Sequence, residues 1–277
     1  MKIIQITLLI LLVILIGCTQ VKVSQDELDH IGCQEGEIIE GSCIIAEDNN
    51  AKLFGQELDN YVDYENIENG FLAKPNGAAE YPGIIMIHEW WGLNDNIKYM
   101  AKLLAKEGYV VYAVNLYGVE AAEDSTKARE LATSVRQNPD KAIADMKTAI
   151  KYINEIGVSS LGSIGWCFGG QQSLQLSLNE KLDATVIYYG HLIDDKEQLN
   201  FIDWPVLGIF GSEDGSITVE SVKSFETALN DLEIENSINI YDGVGHAFAN
   251  PSGSNYAKEE TIDAWEKTIK FFEDNLK

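Results

Sequence analysis

The chain has 277 residues, 45% of them apolar, and its 20 lysines and arginines against 44 acidic residues give a formal net charge of −24. This apolar content excludes a disordered or fibrous protein and fits one α/β domain of about 200 to 250 residues. The acid excess argues against nucleic acid as a partner, because affinity for DNA is built mainly from Lys and Arg that neutralise phosphates.

The N-terminal segment has the pattern of an export signal. A lysine at position 2 precedes an almost continuous apolar run from Ile3 to Ile16, which is followed by Gly17 and Cys18. The run is shorter than the about 20 apolar residues of a spanning helix, so a retained transmembrane anchor is the weaker alternative. The letters LIGC resemble a lipobox, the site at which a prokaryotic lipoprotein is cleaved before a lipid-bearing cysteine. We expect a signal peptide over 1–17, lipidation of Cys18, and an extracytoplasmic, membrane-anchored lipoprotein of the cell envelope.

Residues 18–59 are expected to form an acidic tether, because they show little apolar periodicity. Cys33 and Cys43 enclose a short loop in this segment. An oxidising compartment would favour a disulfide between them, and two unpaired thiols are the alternative. Cys167 is expected to stay free.

From residue 60 to 277, short β-rich runs alternate with amphipathic helical patterns. This order predicts one α/β domain with a mostly parallel sheet and helices on both faces. The predicted strands are 83–87, 109–116, 160–166, 184–189, 206–210 and 237–241. The predicted helices are one capped by Asn94 or Asp95 and ended by Gly108, one through 142–153 that stops before Gly157, and those at 168–178, 218–232 and 258–276. Functional groups of such sheets collect in the turns at the carboxyl ends of the strands.

One turn joins a predicted strand directly to a helix with the sequence GWCFGG at 165–170. The spacing matches a nucleophile elbow with Cys in place of Ser, and the flanking glycines leave room for a sharp turn. The helix N-terminus favours a thiolate at Cys167 and offers amides to an oxyanion. The alternative is a buried cysteine in a Gly-rich contact between helix and strand.

An acid and a base should follow such a nucleophile in chain order. Asp214 comes after the predicted strand 206–210, and His246 is the histidine in the loop after the strand 237–241. We predict that His246 is the base and Asp214 the acid. Glu213 and Asp242 are weaker candidates for the acid, and an ordinary surface-loop histidine is the alternative reading of His246.

A second turn, HEWWGLN at 88–94, places the carboxylate of Glu89 after a buried strand and beside two indoles. Loops at this position supply the second amide of an oxyanion hole. The alternatives for Glu89 are a solvated loop acid and a carboxylate that stabilises the start of the next helix.

Six motifs in order resemble the dienelactone hydrolase family of the α/β-hydrolase fold over about residues 60–277. They are IHEWWGLN at 87–94, AVNLYG at 113–118, GWCFGG at 165–170, YYG at 188–190, GSEDG at 211–215 and GHAF at 245–248. The resemblance implies Cys167 as nucleophile, His246 as general base and then acid, and Asp214 as the group that orients the imidazolium.

The resemblance also implies that Glu89 takes up the thiol proton when substrate binds, and that the backbone amides of Trp90 and Phe168 form the oxyanion hole. Family members that open dienelactone hold its carboxylate with arginines. Arg129 is the candidate for one of them, and Asn250 stands at the position of the other, so both are taken as candidate substrate-binding residues.

These features predict a hydrolase that cleaves an ester or lactone bond of a small molecule through an acyl-enzyme on Cys167. We expect no cofactor and no metal ion, and a monomer is favoured. A non-catalytic extracytoplasmic binding lipoprotein and a thiol redox protein that uses Cys167 are the alternatives. The complete triad argues against the first, and the lack of a CxxC motif or a resolving cysteine argues against the second.

Overall fold

A computed structural model describes residue 58 and residues 62–77 and 79–277. The strands are β1 (Val62–Ile67), β2 (Gly70–Pro75), β3 (Gly83–Ile87), β4 (Val110–Val114), β5 (Leu161–Trp166), β6 (Ala184–Tyr188), β7 (Val206–Gly211) and β8 (Asn236–Tyr241). The helices are α1 (Asp95–Lys106), α2 (Ser125–Gln137), α3 (Pro139–Ile156), α4 (Phe168–Ser177), α5 (Lys196–Leu199), α6 (Val219–Asp231) and α7 (Lys258–Leu276).

The strands form one sheet in the order β1-β2-β4-β3-β5-β6-β7-β8. β2 pairs antiparallel with β1 and β4, and every pairing from β4 to β8 is parallel. The predicted mostly parallel sheet is therefore confirmed. The parallel arrangement brings the carboxyl ends of β3, β5, β7 and β8 to one edge, where the predicted functional turns lie.

Helices cover both faces of the sheet, and β3 shows how the sequence produces this arrangement. Ile85 and Ile87 pack into a cluster that includes side chains of α3, α4 and α6, whereas Ile84 and Met86 pack into a cluster with α1 and α7. All four side chains are fully buried. Because successive strand residues face opposite sides and both sides are covered, the strand is a continuous apolar run.

Helix α1 begins where the sequence predicts. Asn94 is its N-cap, and the Asn94 side chain accepts a hydrogen bond from the backbone N–H of Ile97 at 3.1 Å. The helix ends at Lys106, and Gly108 follows with φ of 95°, a left-handed conformation that glycine adopts without steric cost.

Three N-terminal predictions lie outside the described residues: the signal peptide over 1–17, the lipidated Cys18 and the disulfide between Cys33 and Cys43. Within the described part of the chain, no helix is long and apolar enough to cross a membrane. Leu58, which falls at the end of the predicted tether, is buried in the cluster that contains α1 and α7.

Candidate active site

The turn between β5 and α4 holds Cys167 in a strained backbone conformation. Cys167 has φ of 55° and ψ of −114°, and its side chain is half-buried. A Cβ atom at Gly165 would lie 2.1 Å from the carbonyl oxygen of Gly169. Only glycine fits at position 165, which explains the spacing seen in the sequence.

The start of α4 packs tightly against the ends of two strands. A Cβ atom at Gly169 would lie 2.2 Å from the carbonyl oxygen of Ile87, and one at Gly170 would lie 2.5 Å from that of Tyr188. The two glycines therefore let the first turn of α4 approach the ends of β3 and β6. This contact brings the helix amides after Cys167 next to the loop that follows β3.

Cys167, His246 and Asp214 form a continuous chain of contacts across three loops. His246 Nε2 lies 3.0 Å from Cys167 Sγ, and His246 Nδ1 lies 2.6 Å from Asp214 Oδ2. The other carboxylate oxygen of Asp214 accepts hydrogen bonds from the backbone N–H groups of Ser216 at 2.8 Å and Ile217 at 2.9 Å. Asp214 is thus held in one orientation toward the imidazole.

The electrostatics of this chain favour a charged imidazole. Burial lowers the pKa of His246, but the hydrogen bonds to Asp214 and Cys167 outweigh this effect and raise that pKa to about 10. Burial opposes ionisation of Asp214 as well, but the bonds from His246, Ile217 and Ser216 hold the pKa of that carboxyl below its ordinary value. The arrangement can therefore place an imidazolium between a carboxylate and a sulfur atom, as nucleophilic catalysis by cysteine requires.

Glu89 lies buried beside this chain of contacts, only 4% exposed. Its Oε2 accepts a hydrogen bond from Asn250 Nδ2 at 2.6 Å, and Asn250 Oδ1 accepts one from the backbone N–H of Ser252. Burial raises the pKa of Glu89 to about 7, against the opposing effects of the His246 charge and the Asn250 amide. Glu89 can therefore gain or lose a proton near neutrality. Asn250, predicted to contact substrate, holds this carboxylate.

The backbone amide of Trp90 lies in the loop after β3, and that of Phe168 lies at the first residue of α4, directly after Cys167. Across residues 62–77 and 79–277, neither N–H group has a hydrogen-bond acceptor. The Tyr117 hydroxyl donates to the carbonyl oxygen of Trp90 at 2.7 Å. The half-buried indoles of Trp90 and Trp91 have ring centroids 5.0 Å apart.

Comparison with known proteins identifies the family. The family model described as "Dienelactone hydrolase family" matches residues 69–276. The chain belongs to the dienelactone hydrolase family. A "Putative carboxymethylenebutenolidase" of Saccharolobus solfataricus is 32% identical over 241 residues, which cover 73% of this chain and 91% of that protein. "Protein usf" of Aquifex pyrophilus is 30% identical over 217 residues, which cover 75% of this chain and 93% of the relative.

Solved structures show the same fold. A "Putative Dienelactone Hydrolase" from Klebsiella pneumoniae has a TM-score of 0.65 at 22% identity and covers 77% of this chain and 99% of its own. A dienelactone hydrolase-like promiscuous phosphotriesterase from metagenomic libraries has a TM-score of 0.72 at 20% identity, covering 78% of this chain and all of its own. The predicted resemblance to the dienelactone hydrolase family and the α/β-hydrolase fold is confirmed.

In this dienelactone hydrolase family member, the two other acids considered for the triad differ from Asp214 in their exposure to solvent. Glu213 is exposed, although it is adjacent to Asp214 in sequence. Asp242 is also exposed, and its Oδ1 accepts a hydrogen bond from Ser212 Oγ at 3.2 Å. Of the three acids, Asp214 is the one whose carboxylate contacts His246.

The two arginines of α2 differ in their relation to the site. Arg129, predicted to contact substrate, is exposed on this helix. Arg136, seven residues further on, lies with its guanidinium 5.4 Å from the ring centroid of Phe168, and its Nε donates to Gln171 Oε1 at 3.1 Å. Arg136 is therefore the α2 arginine that the fold brings against the residue after Cys167.

Sequence reasoning missed two residues that follow β6. The Tyr189 ring meets that of His246 edge to face at 5.3 Å between centroids, and Tyr189 has φ of 35°. His191 is close enough to Arg136 and His246 that their charges, together with burial as the larger cause, lower its pKa. Both positions follow the carboxyl end of a parallel strand, which is a signal that points to them, and Tyr189 also lies within the YYG motif at 188–190.

Proposed function

We propose that this chain is a carboxylic ester hydrolase that cleaves an ester or lactone bond of a small molecule through an acyl-enzyme on Cys167. The observation that carries the proposal is the chain of contacts from Cys167 Sγ to His246 Nε2 at 3.0 Å and from His246 Nδ1 to Asp214 Oδ2 at 2.6 Å. The names of the carboxymethylenebutenolidase relatives support a lactone or ester as the substrate class.

Acylation begins when the Cys167 thiolate attacks the carbonyl carbon. A carbon–sulfur bond forms, and the electron pair of the carbonyl double bond moves onto its oxygen. The N–H groups of Trp90 and Phe168 donate to this oxyanion, which is usually the largest single contribution to lowering such a barrier. The intermediate then collapses, and His246 gives its proton to the departing alkoxide.

Deacylation reverses these roles. His246, now neutral, takes a proton from water, and the resulting hydroxide attacks the thioester carbonyl carbon. The carbon–sulfur bond breaks and Cys167 leaves as a thiolate beside the protonated imidazole. Asp214 stabilises the imidazolium in both steps and keeps Nδ1 protonated, so that Nε2 faces the reacting atoms.

Pre-steady-state kinetics tests this pathway. Mixing the protein with a p-nitrophenyl ester should release a burst of nitrophenol close to one equivalent per protein molecule, followed by slower turnover. A linear time course at every substrate concentration, with no burst and no trapped thioester, would count against an accumulating acyl-enzyme.

Glu89 is proposed to take the thiol proton of Cys167 when substrate binds, so that the attacking thiolate forms in the complex, and to return this proton to the sulfur after deacylation. The carboxylate is shielded from water, and its pKa of about 7 suits it to accept a proton near neutrality. Glu89→Gln keeps an oxygen that can accept the bond from Asn250, so the geometry of the loop should persist.

Glu89→Gln is expected to preserve substrate binding and to slow acylation by roughly 10²- to 10⁴-fold, the range for loss of one general base. In the wild type, the acylation rate should rise with pH through about 7, as Glu89 loses its proton. The variant should lack this rise. Stopped-flow acylation rates between pH 5 and 9 provide the measurement, and a wild-type rate and pH profile in the variant would remove Glu89 from the mechanism.

We also propose that the mature protein is a lipoprotein of the cell envelope anchored through Cys18. The proposal rests on the LIGC sequence after the apolar run of residues 3–16. Because two or more acyl chains anchor stably, the wild type should pellet with membranes and Cys18→Ala should not yield the lipidated form. Metabolic labelling with palmitate and membrane fractionation measure this. Unlabelled wild-type protein with an intact N-terminus in the soluble fraction would contradict it.

A further inference from the structure

His88 is a fully buried histidine at the end of β3 that the proposed reaction does not use. Both of its ring nitrogens have partners: Nδ1 lies 2.6 Å from the carbonyl oxygen of Glu89, and Nε2 accepts the backbone N–H of Leu116 at 3.3 Å. Burial lowers the pKa of His88 to about 4. The ring is therefore neutral, and because Leu116 donates to Nε2, the single proton lies on Nδ1 and is donated to the Glu89 carbonyl.

The carbonyl that His88 binds belongs to the same peptide unit as the N–H of Trp90. Every peptide among the described residues is trans, so this unit is planar with C=O and N–H pointing in opposite directions. Fixing the Glu89 oxygen therefore fixes the direction of the Trp90 N–H. The same oxygen also accepts the N–H of Gly92 at 3.1 Å, which completes a tight turn.

His88 also contacts Phe168, the residue that carries the second amide of the proposed oxyanion hole. Its ring stacks on that of Phe168, with 5.8 Å between centroids and an angle of 18° between planes. On another side it meets the ring of Tyr117 at 4.6 Å. One rigid side chain therefore links the end of β3, the end of β4 and the residue after Cys167.

We propose that His88 is a positioning residue that locks the Glu89–Trp90 peptide so that the Trp90 N–H points at the oxygen of the acyl group. This inference rests on the proposed acyl-enzyme pathway. An unlocked peptide could rotate its N–H away from the reacting carbonyl, and loss of one such donor typically slows catalysis by about 10²- to 10³-fold. Because both ring nitrogens of His88 bind backbone groups, the residue acts through this peptide and not on the reacting atoms.

Two variants of His88 separate its hydrogen bond from its ring. His88→Phe keeps an aromatic ring against Phe168 but removes the donor to Glu89. His88→Asn gives up the ring but keeps a side-chain N–H at about the position of Nδ1. A matched control is Tyr117→Phe, which removes one hydrogen bond from the neighbouring peptide carbonyl of Trp90, a unit that carries no proposed oxyanion donor.

Two reactions of Cys167 then show which property has changed. Acylation by a p-nitrophenyl ester passes through an oxyanion, whereas alkylation by iodoacetamide is a displacement at carbon that forms none. His88→Phe should slow acylation by roughly 10- to 10³-fold and leave alkylation within about threefold of wild type. His88→Asn should acylate faster than His88→Phe. The acylation rate should fall less in Tyr117→Phe than in His88→Phe.

The same experiment distinguishes the possible failures. A wild type that alkylates but never acylates would defeat the proposed function itself. A wild type that acylates, with His88→Phe acylating equally fast, would overturn the positioning role alone. Equal slowing of acylation and alkylation in His88→Phe, or an Asn variant slower than the Phe variant in acylation, would assign His88 to packing of the loop rather than to the oxyanion peptide. If His88→Phe does not fold, His88→Asn is compared with wild type in the two reactions. Equal slowing of acylation and alkylation in His88→Asn would overturn the proposal.

Discussion

Cys167→Ala is expected to lower kcat/KM for ester hydrolysis by roughly 10⁴-fold or more, the largest effect of any single substitution in the chain. Alanine removes the sulfur that forms the acyl bond. Because Cys167 is half-buried, little packing is lost, and the fold should persist. Hydrolysis of a p-nitrophenyl ester under limiting substrate measures kcat/KM, and circular dichroism on the same samples shows whether the fold persists.

A double variant that combines Cys167→Ala with His246→Ala provides the control for this prediction. His246→Ala alone should also remove most activity, because Nε2 lies 3.0 Å from the sulfur and serves the same step. Residues that act as one unit show strongly non-additive effects. The double variant should therefore be about as slow as the slower single variant. A double variant slower by the product of the two single effects would contradict a shared step.

Asp214→Asn is expected to slow the reaction by roughly 10³- to 10⁴-fold with little change in substrate binding. The carboxylate supports the charge on His246 through the contact of 2.6 Å, and an amide in its place can present N–H to Nδ1 and favour the wrong tautomer. Glu213→Gln is the matched control, since Glu213 is adjacent in sequence but exposed. It should retain nearly full activity, and a large loss there would shift the role of the acid toward Glu213.

The same substitution should change the dependence of stability on pH. The pKa of His246 in the folded protein, about 10, is above its ordinary value of 6.5. Its contribution to the free energy of unfolding is therefore fully present below pH 6.5 and is lost as pH rises through about 10. In Asp214→Asn this decline should flatten. Urea titrations between pH 6 and 10 give the free energy of unfolding at each pH. If this free energy fell with pH as steeply in Asp214→Asn as in the wild type, Asp214 would not support the imidazolium.

The sequence predicted the strands β3 to β7 well because they are buried on both faces. The run GIIMI predicted β3 with the bounds that the structure has, Gly83–Ile87. The edge hairpin was not predicted. β1 is exposed at four successive positions and carries no apolar run, and the apolar run of β2 is only three residues long, from Phe71 to Ala73. The strand predicted to reach Leu116 ends at Val114, because the Leu116 N–H turns to His88 instead of to a neighbouring strand.

The order of the motifs pointed to Cys167, Asp214 and His246 as one group, since a fixed fold links chain order to loop position. Contacts between distant loops carried no such signal. Asn250 meets Glu89 across 161 positions, and His88 meets Leu116 across 28. Neither pair follows a spacing rule of a helix or a strand, so both required the folded chain.

The acyl-enzyme is tested most directly by mass spectrometry of the intact protein and its peptides after brief exposure to an activated ester. The proposed mechanism predicts a mass increase of one acyl group on the peptide that contains Cys167, formed within the burst and lost on longer incubation. Glu89→Gln should acquire the same label more slowly, and Cys167→Ala should acquire none. Ester turnover by a wild-type protein whose Cys167 remains unmodified, or an acyl group on another residue, would contradict the account.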